Sequence, residues 1–190
     1  MFPRITDYAH QLLEQRIQPG AHVIDATMGN GHDTVFLAQQ VGETGKVYSF
    51  DIQQQALDST RQLLVKRHLE QRARLFLQSH AMMDFPAESI DAVVFNLGYL
   101  PRSDKTITTQ AETTIESIKR ALRFLKVGGL IVVVVYWGHE QGKIEKQAVE
   151  QFVEGLPFPE FMVLRYQYMN PLNQPPFVLA IERRRRPTVD

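Results

Sequence analysis

Residues 23–34 place the tightest constraint on what this chain can fold into. Val23 and Ile24 end an apolar, β-branched run too short for a helix, so they read as a buried strand that closes at Asp25. Gly29 and Gly31 then let the backbone turn sharply and come close to a ligand. His32, Asp33 and Thr34 lead into Val35, Phe36, Leu37 and Ala38, which suits the start of a packed helix. Either His32 or Asp33 suits its cap or first turn, where the helix dipole favours an acid. Strand, glycine turn and helix in that order make the unit that holds a nucleotide-like ligand.

Asp51 sharpens that expectation. Residues 46–50 read as a second strand, and Asp51 closes it twenty residues after Gly31. A Rossmann-type fold puts at that distance the carboxylate that holds ribose hydroxyls. Two glycines alone are a weak signal. Two consecutive strand ends, one with a glycine turn and one with an acid, are stronger. The competing reading is a turn plus a surface aspartate.

The rest of the chain repeats the alternation. Residues 5–17 carry Ile5, Tyr8, Leu12, Leu13 and Ile17 at helical spacing and stop at Pro19 and Gly20. Helices are expected at 34–41, 53–69, 110–125 and 143–154, the third stopped by residues 126–129. Strands are expected at 73–77, 90–95 and 130–135, and the last is apolar enough to be buried on both faces. Residues 161–168 and 177–181 form two more strands, joined by a Pro-rich stretch that suits an antiparallel hairpin. Five βα units and a hairpin give a doubly wound, seven-stranded α/β sheet, expected as one domain over residues 1–190. Ligands in such sheets bind beyond the carboxyl ends of the strands. The polar clusters fall there: residues 25–34, Asp51, Ser79 with His80, residues 96–101, and residues 136–139.

Composition removes several classes of function. The chain of 190 residues has no cysteine, so it holds neither a disulfide nor a thiolate nucleophile nor a Cys-based metal site. Its net charge is zero, so no long-range field advertises nucleic acid. The apolar run over residues 130–137 is far too short for a bilayer, and residues 1–4 do not start a signal peptide. A soluble cytoplasmic protein without membrane or metal is expected. His10, His22 and His68 share no metal-like spacing and receive no role.

Three motifs narrow the family. They are Asp25-Ala26-Thr27 with Gly29-Asn30-Gly31-His32-Asp33-Thr34, Asn96-Leu97-Gly98-Tyr99-Leu100-Pro101 with Asp104-Lys105, and Tyr136 with Gly138-His139. With the terminal hairpin, the chain resembles a class I S-adenosylmethionine (SAM)-dependent methyltransferase of Rossmann-like fold. Thr27 stands where the usual first-strand motif has its first glycine. Together the motifs resemble one narrow group, the rRNA methylase family that includes tRNA 5-aminomethyl-2-thiouridine methyltransferases. Relatives usually carry small glycines after the motif proline, where this chain has Arg102 and Ser103.

The resemblance implies a site. Asp51 would hold the SAM ribose, Ile52 would pack on the adenine, and Ser79 and His80 would line its edge. Thr27, Met28, Gly29 and Asn30 would meet the methionine end, with Asp33 and Thr34 close by and Asp25 accepting from the ammonium directly or through water. Asn96, with Gly98 beside it, occupies the place of the amine-binding loop of amino-group methyltransferases, and Tyr99 would stack on the base. His139 is a candidate proton acceptor or RNA contact, and Tyr136, Arg102, Asp104 and Lys105 are candidate substrate contacts. The implied partner is tRNA at its anticodon, with a homodimer left open as the assembly.

Other features need a place. Asn173, Gln174, Pro175 and Pro176 imitate an amine-binding loop but read as the hairpin connection, and Trp137 suits core packing more than base stacking. Arg183 to Arg186 could touch RNA phosphates or form a solvated tail. The function the resemblance implies is SAM-dependent N-methylation of 5-aminomethyl-(2-thio)uridine at the tRNA wobble position. The alternatives are methylation of rRNA or a small molecule, a nicotinamide-dependent oxidoreductase for which Asp51 would also serve, and a non-catalytic RNA-binding module.

Overall fold

The fold is described by a computed structural model covering residues 1–98 and 109–187. Along the chain run α1 (Ile5–Glu14), β1 (His22–Asp25), α2 (His32–Gln40), β2 (Lys46–Asp51), α3 (Gln54–Lys66), β3 (Ala73–Leu77), β4 (Ile90–Leu97), α4 (Ala111–Phe124), β5 (Leu125–Val135), α5 (Glu140–Glu154), β6 (Phe161–Tyr166) and β7 (Phe177–Arg183). The seven strands form one sheet in the order β3-β2-β1-β4-β5-β7-β6. The first five are parallel, and β7 runs antiparallel between β5 and β6.

The period of two along each strand divides the core. On β5, Ile131, Val133 and Val135 pack into one cluster with Ile118, Phe124, Val149 and Val153 of α4 and α5. The alternate residues Leu130, Val132 and Val134 pack into the other cluster with Ile5, Ala9 and Leu13 of α1, Val35 and Leu37 of α2, and Leu64 of α3. This is why β5 reads as an unbroken apolar run: it is covered on both sides.

Several boundaries move from their sequence positions for local reasons. α1 stops at Glu14 because the amides of Arg16 and Ile17 both turn back to the Leu13 carbonyl, at 3.0 and 2.8 Å. α2 starts earlier than expected, at His32, behind Gly31 in the left-handed region at φ +82°. α3 ends at Lys66, and His68 then takes φ +56°, which still returns Leu69 to the core. β5 extends back to Leu125 through a register shift opposite residues 90–92.

The third βα unit is not completed. Between β3 and β4 the chain makes only a 3-10 turn, His80–Met82. Residues 78–89 hold no α-helix, and Pro86 has no amide to continue one. Met83 and Phe85 cover that face instead, with the Phe85 ring 5.5 Å from that of Phe124. Among the described residues, no helix is long and apolar enough to cross a membrane.

Candidate active site

The chain leaves β1 for β2 on one side and later returns to place β4 on the other. That reversal opens a crevice beyond the strand ends of β1 and β4, the usual ligand position in such sheets. The Asn96 amide donates to Thr27 Oγ1 at 2.7 Å across it, and the Ala26 amide donates to the Val94 carbonyl at 2.9 Å. Asn96 and Thr27 are both half-buried.

The first-strand turn is tied to β2 as well. The Met28 amide donates to the Phe50 carbonyl, and the Gly29 amide donates to Asp51 Oδ2 at 3.0 Å. The other Asp51 oxygen accepts from the Gln53 amide, also at 3.0 Å. A carboxylate has about four lone-pair positions, so Asp51 keeps acceptor capacity for a diol. Beside it Ile52 is 60% exposed, an apolar side chain at the ligand edge with nothing of the core over it. Gly31 serves a different purpose from close ligand approach. A Cβ there would lie 2.7 Å from Thr60 Oγ1 and 2.8 Å from Thr60 Cα, so its lack of a side chain lets α2 and α3 pack.

Asp25, Met28 and Thr34 support the turn from beneath. Asp25 and Thr34 are wholly buried, and Met28 is 2% exposed. Asp25 accepts from the Thr34 hydroxyl at 2.6 Å and from the Thr27 amide at 3.2 Å, while the Ser49 hydroxyl lies 3.0 Å from Thr34 Oγ1. Burial, joined by the nearby Asp33 charge, pushes the Asp25 carboxyl up to about 7. The direct form of the expected Asp25–ammonium contact does not fit this burial, which leaves the form through water.

Asp33 joins three elements. From the first turn of α2 it accepts the Asn96 Nδ2–H on Oδ2, while Oδ1 lies 2.7 Å from His10 Nε2 of α1. The His10 ring stacks on Phe36 with centroids 4.0 Å apart. Tyr136 follows β5 nearby, and its hydroxyl titrates high through burial and the Asp33 charge. His10 carries no signal in the sequence, since its partner is twenty-three residues away on another helix.

Ser79 and His80 leave β3. The Ser79 hydroxyl accepts from the Ala81 amide at 3.2 Å and caps the 3-10 turn. His80 Nδ1 is 3.0 Å from the Ala26 carbonyl, which can only accept, so the ring carries its proton on Nδ1. Burial holds its pKa below the usual histidine range, and Nε2 remains an acceptor near Asp51.

His139 caps α5. Its Nδ1 accepts from the Gly142 amide at 3.1 Å, which puts the proton of the neutral ring on Nε2. A ring so engaged donates from Nε2 rather than accepting, which argues against the expected proton-acceptor role. The Gly98 amide donates to Thr109 Oγ1 at 2.9 Å, and the Thr109 hydroxyl donates in turn to Glu145 at 2.6 Å. Glu145 is 1% exposed and also accepts from Thr114, and burial raises its carboxyl pKa. Tyr99, Arg102, Asp104 and Lys105 lie outside the described residues.

The remaining candidates are structural. Trp137 Nε1 donates to the Pro175 carbonyl at 2.8 Å, so the stretch that imitates an amine loop is the hairpin connection packed on it. Arg183 is corrected as a phosphate contact. The β5–β7 register places it at the edge opposite Asn96, buried, donating to the Leu125 carbonyl and 3.2 Å from Glu88. Arg186 pairs with the same Glu88 through two hydrogen bonds.

Comparison with known proteins agrees with this arrangement. Residues 47–182 match the family described as "Putative rRNA methylase". A curated Arabidopsis thaliana protein, "tRNA (mnm(5)s(2)U34)-methyltransferase, chloroplastic", is 40% identical over 95% of this chain and 70% of its own length. A structure named a "putative rRNA-methylase" of Clostridium thermocellum superposes with a TM-score of 0.92 at 38% identity, covering 96% of this chain and 99% of that one. A "putative methyltransferase" of Streptococcus mutans, in complex with S-adenosylhomocysteine (SAH), does so with a TM-score of 0.86 at 40% identity, covering 96% and 99%. With that sheet order, that strand-end carboxylate and these relatives, the chain belongs to the rRNA methylase family of class I methyltransferases.

Proposed function

We propose that the protein is a SAM-dependent N-methyltransferase that converts the 5-aminomethyl group of a tRNA wobble (2-thio)uridine to methylaminomethyl. The observation that carries it is the Asn96 carboxamide at the switch-point crevice, its NH2 committed to Asp33. This leaves Oδ1 as an acceptor for an amine N–H. The fit to SAM rests on Asp51, whose two backbone bonds leave room for the ribose diol, and on exposed Ile52 and acceptor His80 for the adenine. Gly29, Asn30 and half-buried Thr27 would meet its methionine end.

SAM, when bound, supplies a methyl group already activated by the sulfonium charge. The protein's own task is then to position and desolvate a neutral amine. Asn96 Oδ1 accepts one N–H of that amine and directs the nitrogen lone pair away from itself. An amine at the end of an aminomethyl group projects from the uridine ring, and an unpaired anticodon base can be splayed out to present it. The activity named for the Arabidopsis relative supports this substrate.

The family description favours rRNA as the second reading. One assay separates the two: purified protein, SAM, and either tRNA bearing the aminomethyl precursor, unmodified tRNA, or rRNA, followed by nucleoside mass spectrometry. Methylation of the precursor tRNA alone is the expected result. Methylation of rRNA alone, or of both tRNAs equally, overturns the wobble assignment.

A further inference from the structure

α1 precedes the β-α alternation, yet it reaches the site through one side chain. His10 Nε2 lies 2.7 Å from Asp33 Oδ1, and Asp33 Oδ2 accepts from Asn96 Nδ2. We propose that His10, acting through Asp33, is a positioning residue that fixes which face of the Asn96 carboxamide meets the substrate. The proposal rests on the amine-acceptor reading of Asn96.

The chemistry of the three groups allows one arrangement. An ionised carboxylate has lone pairs and no hydrogen, so the part of Asn96 that faces it is the NH2. The amide oxygen then turns the other way. For the same reason His10 presents Nε2–H to the carboxylate. The imidazole is itself held in plane by Phe36, whose ring is 4.0 Å away and 4° from parallel. Phe36 lies three residues beyond Asp33, on the same face of α2. The backbone of α1 is seated by Ile5, Ala9 and Leu13, each buried in the core. His10 and Asp33 are only partly exposed, with side chains 34% and 19% accessible. Without the imidazole, the Asp33 carboxylate is free to turn about its own bonds, and the Asn96 amide can flip to present a donor to a donor.

The test is a series at position 10: His10→Ala, His10→Gln and His10→Asn. The glutamine amide places an N–H near where Nε2–H stands, whereas the asparagine amide is too short to reach Asp33. Turnover is measured on precursor tRNA, and SAM affinity by calorimetry. His10→Ala should lower kcat on the order of tenfold, the worth of one hydrogen bond, with SAM affinity unchanged. His10→Gln should restore most of the loss and His10→Asn should not. In an Asn96→Ala background, His10→Ala should add nothing further, because both act on one group.

Wild-type kcat in folded His10→Ala overturns the proposal, as does equal rescue by Gln and Asn or an additive loss on top of Asn96→Ala. If His10→Ala does not fold, the comparison of Gln with Asn decides the same question. Wild-type turnover in Asn96→Ala itself overturns the amine-acceptor reading. A damaged Asn96→Ala beside an intact His10→Ala overturns the relay alone.

Discussion

Asp51 Oδ2 holds the amide of Gly29 at 3.0 Å, so the acid that ends the second strand also fixes the turn that follows the first. The two strand-end signals of a nucleotide site are thus one hydrogen-bonded unit.

Asp51→Ala is expected to weaken SAM binding by more than the loss of the ribose contact alone. Each charge-assisted hydrogen bond lost costs about 1.5–3 kcal/mol, and the freed Gly29 amide loosens the turn besides. Calorimetric titration of the folded variant checks this. An unchanged SAM affinity would remove the carboxylate from the site.

Asn96→Ala should lower kcat far more than it lowers SAM affinity, because its proposed partner is the target amine. Steady-state kinetics with precursor tRNA, beside a SAM titration, separates the two effects. A wild-type turnover number would point to an acceptor other than nitrogen.

Asp25 makes folding pH-dependent, with a sign opposite to that of a salt-bridged acid. Its carboxyl titrates near 3.8 in the unfolded chain and at about 7 in the fold. Between those values the unfolded state has released a proton that the folded state keeps, so stability falls as pH rises through that window and levels off above it. Asp25→Asn removes this contribution. Its Oδ1 can accept from the Thr27 amide and its Nδ2 can donate to Thr34 Oγ1. Urea unfolding at pH 5 and pH 8 should show the wild type losing stability relative to Asp25→Asn at the higher pH. Parallel curves for the two proteins would refute it.

Gly31→Ala should destabilise by about 2 kcal/mol or more, from left-handed strain on a non-glycine residue together with overpacking. The added Cβ meets Thr60 Cα, a backbone atom that cannot swing away, at 2.8 Å. Thermal unfolding measures the loss. A variant as stable as the wild type would show that α3 can shift to admit a methyl group.

The strands are the most legible part of the chain. β2 and β3 fall on their expected residues because each is a short run of apolar and aromatic residues that stops where the polar exit begins, Asp51 at the end of β2 and Gln78-Ser79-His80 after β3. The connection from β3 to β4 is less so. The alternation suggests a helix there, but packing by Met83 and Phe85 covers the sheet with fewer residues. At the site, Asp51 and Asn96 can be found because each stands at a strand end. Residues such as Asp25 and Thr34 share the same motif and read alike, and only burial tells support from contact. His10 and Glu145 are beyond reach. Each is one polar residue on an amphipathic helix, and its partner is fixed by tertiary packing rather than by spacing.

The seat of α1 has a consequence for timing. Val178 and Ala180 of β7 share its apolar cluster, and the hydroxyls of Tyr166 and Tyr168 both donate to the carbonyl of Pro3 just ahead of it. On the ribosome, α1 emerges early and these partners emerge long afterwards. The glycine turn, its carboxylate and the His10 contacts with α2 can therefore form while synthesis is still under way, but the far side of α1 stays uncovered until β7 is out of the exit tunnel. A half-made chain would thus hold every group of the His10–Asp33–Asn96 series before the helix that carries His10 is pinned from both sides.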